Sequence, residues 1–293
     1  KRAVICAHGY SGNARDFDVL AAALAPRARV ACVDFAGRGE SSWLASPLEY
    51  HFGQLLSDAE ALIAQLGVRE VDWVGTSMGG LIGMLLAARP ASPVRRLVLN
   101  DIGAYVPLEG LRSIAHGLQA PERFDSLEEV EAHLREARRE WGEIDDEQWS
   151  RLAVHLSRPH EGGYRLHYDP RIASLMRGVP VASGLLFWGA WHRVQCPVLL
   201  VRGERSAVFP ASVAATMLES KGSARLAEVA GCGHAPSLMA ESQVEIVRTF
   251  LDSRTQAWSP RRSSSFPASS RTRRHSPRRS RRSAKPRPAA SPT

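Results

Sequence analysis

The sequence predicts an α/β protein: a mostly parallel sheet with helices on both faces, plus a helical insertion. Three observations carry that expectation. Short apolar runs alternate with helical stretches from Ala3 to Leu251, the pattern of parallel strands joined by crossover helices. One such run, Val71 to Val74, ends in Gly75-Thr76-Ser77-Met78-Gly79 and passes straight into a helical stretch. A long segment, roughly Val106 to Val194, interrupts the alternation with amphipathic helical patterning.

Taken in order, the predicted strands are Ala3–Ala7, Arg29–Asp34, Val71–Gly75, Leu97–Asn100, Val198–Val201 and Arg225–Val229. Helices are expected at Ala14–Leu24, Leu48–Leu66, Met78–Ala88, Ala211–Lys221 and Ser242–Leu251. Asp34-Phe35-Ala36-Gly37-Arg38-Gly39-Glu40-Ser41 follows the second strand. It is a glycine turn and not a dinucleotide fingerprint, because the third glycine and the following helix are absent.

The run around Ser77 has the form of a nucleophile elbow: strand, sharp turn, helix, with the serine at the apex. Gly75 and Gly79 fit a turn too tight for side chains. The serine is held at the positive end of the next helix. Two further motifs accompany it. Ala3–Ala7 is followed by His8-Gly9-Tyr10-Ser11-Gly12, and Arg225–Ala230 leads into Gly231-Cys232-Gly233-His234-Ala235-Pro236. With these motifs the chain resembles the α/β-hydrolase fold family over residues 3–252, in particular its bacterial esterases and carbon–carbon bond hydrolases. The resemblance implies that Ser77 is the nucleophile and His234 the general base. It also implies that the backbone amides of Tyr10 and Met78 form the oxyanion hole. An imidazole with an ordinary pKa near 6.5 can take a hydroxyl proton and return it to a leaving group. His8 is expected to be a buried loop histidine that orders its turn. The family's sheet has two strands before its oxyanion strand, so the chain is expected to be a fragment or to lack that edge.

The third member of the triad departs from the family pattern. The family takes its acid from the loop that here reads Gly203-Glu204-Arg205-Ser206-Ala207. The usual positions hold Ser206 and Ala207, neither a carboxylate. Three readings stay open: Asp101 at the end of Leu97–Asn100, Glu204, or no functional acid. Asp101 is carried forward as the acid, against the reading of an aspartate that caps a turn.

The insertion resembles the family's helical cap. Ser126-Leu127-Glu128-Glu129 reads as a capping box, and Leu127, Val130, Leu134 and Ala137 form one apolar stripe. Trp141, Trp149, Trp188 and Trp191, with Met176 and Phe187, supply aromatics of which some are expected to line an apolar pocket. His155, His160 and His167 have no metal-binding spacing and are read as surface residues. The expected division is therefore a core of residues 1–105 and 195–253, a cap of 106–194, and a tail of 254–293.

Composition supports the division. The chain has 293 residues, 44% of them hydrophobic, and a formal net charge of +8. Residues 254–293 hold twelve Arg or Lys and no Asp or Glu, which leaves 26 basic against 30 acidic residues in the body, a charge near −4. The body thus lacks a nucleic-acid footprint. The tail reads as a solvated Ser/Arg/Pro extension expected to be disordered; an arm for nucleic acid or anionic lipid is the alternative. Cys6, Cys32, Cys196 and Cys232 show no zinc or redox spacing and fit a reducing, cytoplasmic setting. Cys232 lies near His234 but lacks an elbow. No run of eighteen apolar residues predicts a membrane span.

These features point to a serine hydrolase of the carboxylesterase kind, acting on a small-molecule ester or related acyl substrate through an acyl-enzyme on Ser77. No cofactor or metal is implied, since serine and imidazole supply nucleophile and proton transfer. Haloalkane dehalogenases share the fold but use aspartate where this chain has Ser77. The rival reading is a ligand-binding protein on the same fold, impaired by the missing acid.

Overall fold

A computed structural model describes residues 1–173 and 184–253. Met176 and the basic tail lie outside the described residues. The first part of the chain comprises β1 (Arg2–Ala7), a 3-10 turn (Ala14–Phe17), α1 (Asp18–Leu24), β2 (Ala28–Val33), α2 (Phe52–Leu66), β3 (Val71–Thr76), α3 (Met78–Ala87) and β4 (Val94–Asn100). Then come β5 (Tyr105–Val106), α4 (Leu108–Gly117), α5 (Leu127–Ala137), α6 (Asp146–His155), β6 (Ser157–His160), β7 (Gly163–Leu166), β8 (Leu185–Leu186) and α7 (Trp188–Trp191). The chain returns with β9 (Val198–Gly203), α8 (Ala211–Ser220), β10 (Ala224–Val229) and α9 (Glu241–Asp252).

The central sheet has the order β10-β9-β4-β3-β1-β2, and every neighbouring pair is parallel. Alternation along each strand splits the core into two layers. Ala3, Ile5 and Ala7 of β1 face α2, α3, α7 and α8. Val4 and Cys6 face α1 and α9. Both faces are covered, which is why these strands read as continuous apolar runs. Cys6 and Cys32 are register partners on β1 and β2, and both are free thiols.

Local chemistry explains where the elements begin. The predicted helix from Leu48 starts instead at Phe52. Ser46 caps a separate 3-10 turn over Pro47–Glu49, and the His51 ring accepts from the Gln54 amide to start α2. Gly67, at φ 66°, ends it in the left-handed conformation. In the insertion, Ser126 caps α5 as expected by accepting from Glu129 N. The return bond from Glu129 goes to Asp125 N rather than to Ser126 N, so the box is displaced by one residue. The insertion also contains antiparallel pairs that the helical pattern did not signal: β5 with β8, and the β6–β7 hairpin. The hairpin turns through Glu161 and Gly162, both at positive φ, as a two-residue primed turn requires.

Because the sheet is parallel, the carboxyl ends of its strands share one edge, where ligand crevices form in open α/β sheets. His8, Ser77, Asp101, Ser206 and His234 all follow the ends of these strands. His8 is buried and uses both ring nitrogens: Nδ1–H donates to Gly9 O at 2.7 Å, and Nε2 accepts from Phe35 N at 3.1 Å. It therefore pins the loop after β1 to the end of β2. Burial lowers its pKa from 6.5 to about 4, so it is neutral in the fold. At the elbow, α3 lies against β1 and β3 with no room to spare. A Cβ on Gly79 would stand 2.1 Å from Ala7 O, and one on Gly75 2.3 Å from Gly79 O. Trp73 Nε1 donates to Gly79 O at 2.9 Å and fixes the helix start from within the core.

Two predictions follow from this frame. Gly79→Ala should cost about 3 kcal/mol, seen as a lowered denaturation midpoint, because both nearest obstacles are backbone. His8 protonates more readily unfolded than folded. Its contribution to stability is complete above pH 6.5 and lost as pH falls towards 4, with a limiting slope of about 1.4 kcal/mol per pH unit and a total of about 3 kcal/mol. Urea titrations of the His8→Gln variant should show that component of the acid slope removed.

Candidate active site

Ser77 stands at the elbow with φ 51° and ψ −115°. A non-glycine residue holds such a conformation only where its surroundings enforce it. Here Ser77 N donates to Asn100 O at 2.9 Å, and Gly79 N donates to His8 O at 3.1 Å. The strain turns the hydroxyl out of the sheet towards the loop after β10. There His234 Nε2 lies 2.9 Å from Ser77 Oγ. On the far side of the ring, His234 Nδ1–H donates to Asp101 Oδ2 at 2.8 Å. Residues from the ends of β3, β10 and β4 thus form one hydrogen-bonded chain.

Asp101 is completely buried, and an ionised carboxylate there needs donors. It has them. Gly203 N donates to Oδ1 at 2.7 Å, and Ser206 Oγ–H donates to Oδ2 at 2.5 Å beside the His234 contact. The Ser206 oxygen in turn accepts from Val208 N at 3.2 Å and Phe209 N at 3.0 Å, which aims its proton at the carboxylate. Arg202 braces the same loop through Phe209 O and Glu204 O. Glu204, the other acid considered, is exposed and accepts from Gly231 N. It does not meet His234.

The structure brings in side chains that the motifs did not single out. Ser206 occupies the place of the family's acid and serves Asp101 instead; its position was a signal, but its residue type concealed it. Asn100 Nδ2 donates to Thr76 Oγ1 at 3.0 Å and to Pro236 O at 2.8 Å, which joins β3, β4 and the histidine loop. That loop is also held by the insertion: Gly233 N donates to Glu140 O, and Ser237 N to Trp141 O. From α9, Gln243 Oε1 accepts from Leu238 N at 2.7 Å. Cys232 is buried, and burial pushes its thiol pKa up.

The loop after β1 is held by Arg38, which is 1% exposed. Its Nε donates to Tyr10 O at 3.0 Å and its Nη1 to Ala36 O at 2.9 Å, while Nη2 reaches Met78 Sδ at 3.8 Å. Burial lowers its pKa to about 10, so it remains a cation. It touches both residues whose amides the resemblance assigns to an oxyanion. Those amides, Tyr10 N and Met78 N, meet no acceptor among the described residues. The Tyr10 hydroxyl points into the insertion and donates to Ile172 O at 3.2 Å.

A cavity of about 430 Å³ opens over Ser77 and His234, bounded also by Tyr10, Ile114, Arg138 and Trp141. Its size suits a small molecule. It differs from the expected apolar pocket. Among the four tryptophans of the insertion only Trp141 lines it. Trp149 packs inside the insertion against Val130, Leu134 and Leu152, and Trp191 joins the main core, where Nε1 donates to Ser220. Charged and polar groups share the lining instead. No group of His, Cys, Asp and Glu able to hold a metal ion occurs among the described residues. No described helix is long and apolar enough to cross a membrane.

Comparison with known proteins identifies the family to which the fold belongs. The chain is 40% identical to a 3-hydroxybutyrate-oligomer hydrolase of Cupriavidus necator over 258 residues, covering 85% of this chain and 88% of the relative. It is 27% identical to 2-(acetamidomethylene)succinate hydrolase of Mesorhizobium japonicum, over 84% of this chain and 86% of that protein. An alpha/beta hydrolase from Novosphingobium aromaticivorans superposes with a TM-score of 0.77 at 33% identity, covering 86% of this chain and 89% of the other. Residues 4–249 match the alpha/beta hydrolase family as a whole, and the chain belongs to that family.

Proposed function

We propose that the protein is a serine hydrolase that cleaves a small ester through an acyl-enzyme on Ser77. The observation that carries this reading is the continuous Ser77–His234–Asp101 hydrogen-bond chain, at 2.9 and 2.8 Å, opening on a cavity of about 430 Å³. Ser77 Oγ attacks the ester carbonyl carbon while His234 Nε2 takes its proton. The amides of Tyr10 and Met78 receive the oxyanion. Asp101 holds the imidazole in the tautomer with Nδ1–H and stabilises the imidazolium that forms. His234 then protonates the departing alcohol, a water attacks the acyl-enzyme with His234 as base, and the acid leaves. Residues 106–194 act as the cap that shapes the substrate site over the core.

The C. necator relative is named for 3-hydroxybutyrate oligomers. Its identity over most of both chains supports a short hydroxy-acid oligoester as the substrate here, within the carboxylesterase class. Four free cysteines support a reducing, cytoplasmic setting. The ligand-binding alternative rested on the absence of an acid, and the Asp101–His234 contact weighs against it.

A fluorophosphonate should add once to the folded protein, and Ser77→Ala should abolish the adduct; intact mass without an adduct on well-folded protein refutes the mechanism. Asp101→Asn should lower turnover by about 10⁴-fold. Ser206→Ala removes one hydrogen bond to the buried carboxylate, worth about 1.5–3 kcal/mol. Steady-state kinetics should show kcat reduced by about 10- to 100-fold, with Ser77 still labelled.

A further inference from the structure

The cavity over Ser77 carries a buried cation that the proposed chemistry does not use. Arg138 follows the end of α5 and is 8% exposed. Its guanidinium lies 4.1 Å from the centroid of the Trp141 ring. Nη1 donates to Asp16 Oδ1 at 3.3 Å, a single long contact. Among the described residues, Nε and Nη2 meet no acceptor. Asp16 therefore engages one of the three guanidinium nitrogens. A second buried guanidinium, Arg38, does not line the cavity; it is held by Tyr10 O and Ala36 O and lies within the electrostatic reach of Asp169. The carboxylate of Glu140 packs over Gly233, beside the histidine loop. Asp16, Glu136, Arg138 and Arg139 line the cavity with it, so its wall carries both signs of charge and the guanidinium of Arg138 is where an anion meets free donors.

With Nη1 held by Asp16, the Nε and Nη2 donors of Arg138 remain available on the cavity wall. The planar fork of a guanidinium matches a carboxylate, with two parallel hydrogen bonds. An alkyl or methyl ester end offers that second pair of donors no matching carboxylate.

We propose that Arg138 anchors a free carboxylate on the substrate, so that the enzyme acts on short oligoester acids in preference to neutral esters. This rests on the serine-hydrolase reading above and adds the end group that the cavity selects. Hydroxybutyrate and succinate, named for two of the relatives, are themselves carboxylates. Arg138 is then a specificity residue that touches the end of the substrate remote from the reacting carbonyl.

The test compares the linear 3-hydroxybutyrate dimer as free acid with its methyl ester, using the full chain. The wild type should favour the acid by tenfold or more in kcat/KM, expressed in KM, about the value of one charge-assisted contact. Arg138→Gln should bring the acid-to-ester ratio to within about threefold of unity, and Arg138→Lys, which keeps charge but loses the fork, should fall between. A wild-type ratio near unity, or a ratio unchanged in Arg138→Gln, overturns the proposal. If Arg138→Gln does not fold, the wild type still decides through product inhibition: 3-hydroxybutyrate should inhibit at least tenfold more strongly than its methyl ester, and equal inhibition overturns the anchor. Failure of the hydrolase reading looks different, with no turnover of either substrate and no fluorophosphonate adduct at Ser77.

Discussion

A buried carboxylate at the end of β4 makes demands on everything around it. Asp101 has no access to water, so its charge must be met by fixed donors. Those come from Gly203 and Ser206 after β9 and from His234 after β10. Three adjacent strand ends are thereby tied at one point. The consequence runs outwards to the imidazole, whose orientation towards Ser77 is set by the bond on its other nitrogen. It runs inwards to the loop after β9, whose turn is shaped by amides donating to the same serine oxygen that serves the carboxylate.

The scaffold is built for that precision. Both faces of the sheet are covered by helices, and the strand ends that carry the chemistry are neighbours in the order β10-β9-β4-β3-β1. The elbow adds backbone strain at Ser77, held by contacts too close for any side chain at Gly75 or Gly79. Site residues therefore sit on rigid element ends rather than on long free loops. The insertion contributes a cavity wall with mixed character, in which Arg138 and Trp141 stand together.

Much of this was legible in the sequence because the relevant signals are local. The six central strands follow from apolar runs, and the elbow from glycines at fixed spacing around Ser77. The order of serine before histidine follows from chain position. What was not legible depends on pairs far apart in the chain. The contact between Asp101 and His234 spans 133 residues, and no local pattern distinguishes it from a turn cap. Ser206 is 105 residues from the carboxylate it serves. The pocket's polarity was also hidden. Trp149 and Trp191 are apolar in sequence but pack into cores, while Arg138 looks like a solvated helix end until the fold buries it. Helix starts were misjudged where a second cap intervened, as at His51.

The backbone bonds from the histidine loop to Glu140 and Trp141 bear on how far this architecture is modular. The loop that carries His234 is gripped by the segment that also lines the cavity. Insertion and sheet are consequently not independent cassettes. A chimera that exchanged residues 106–194 for a foreign segment would inherit a new cavity wall and, with it, a new cradle for the His234 imidazole, so ligand fit and ring orientation would have to evolve together.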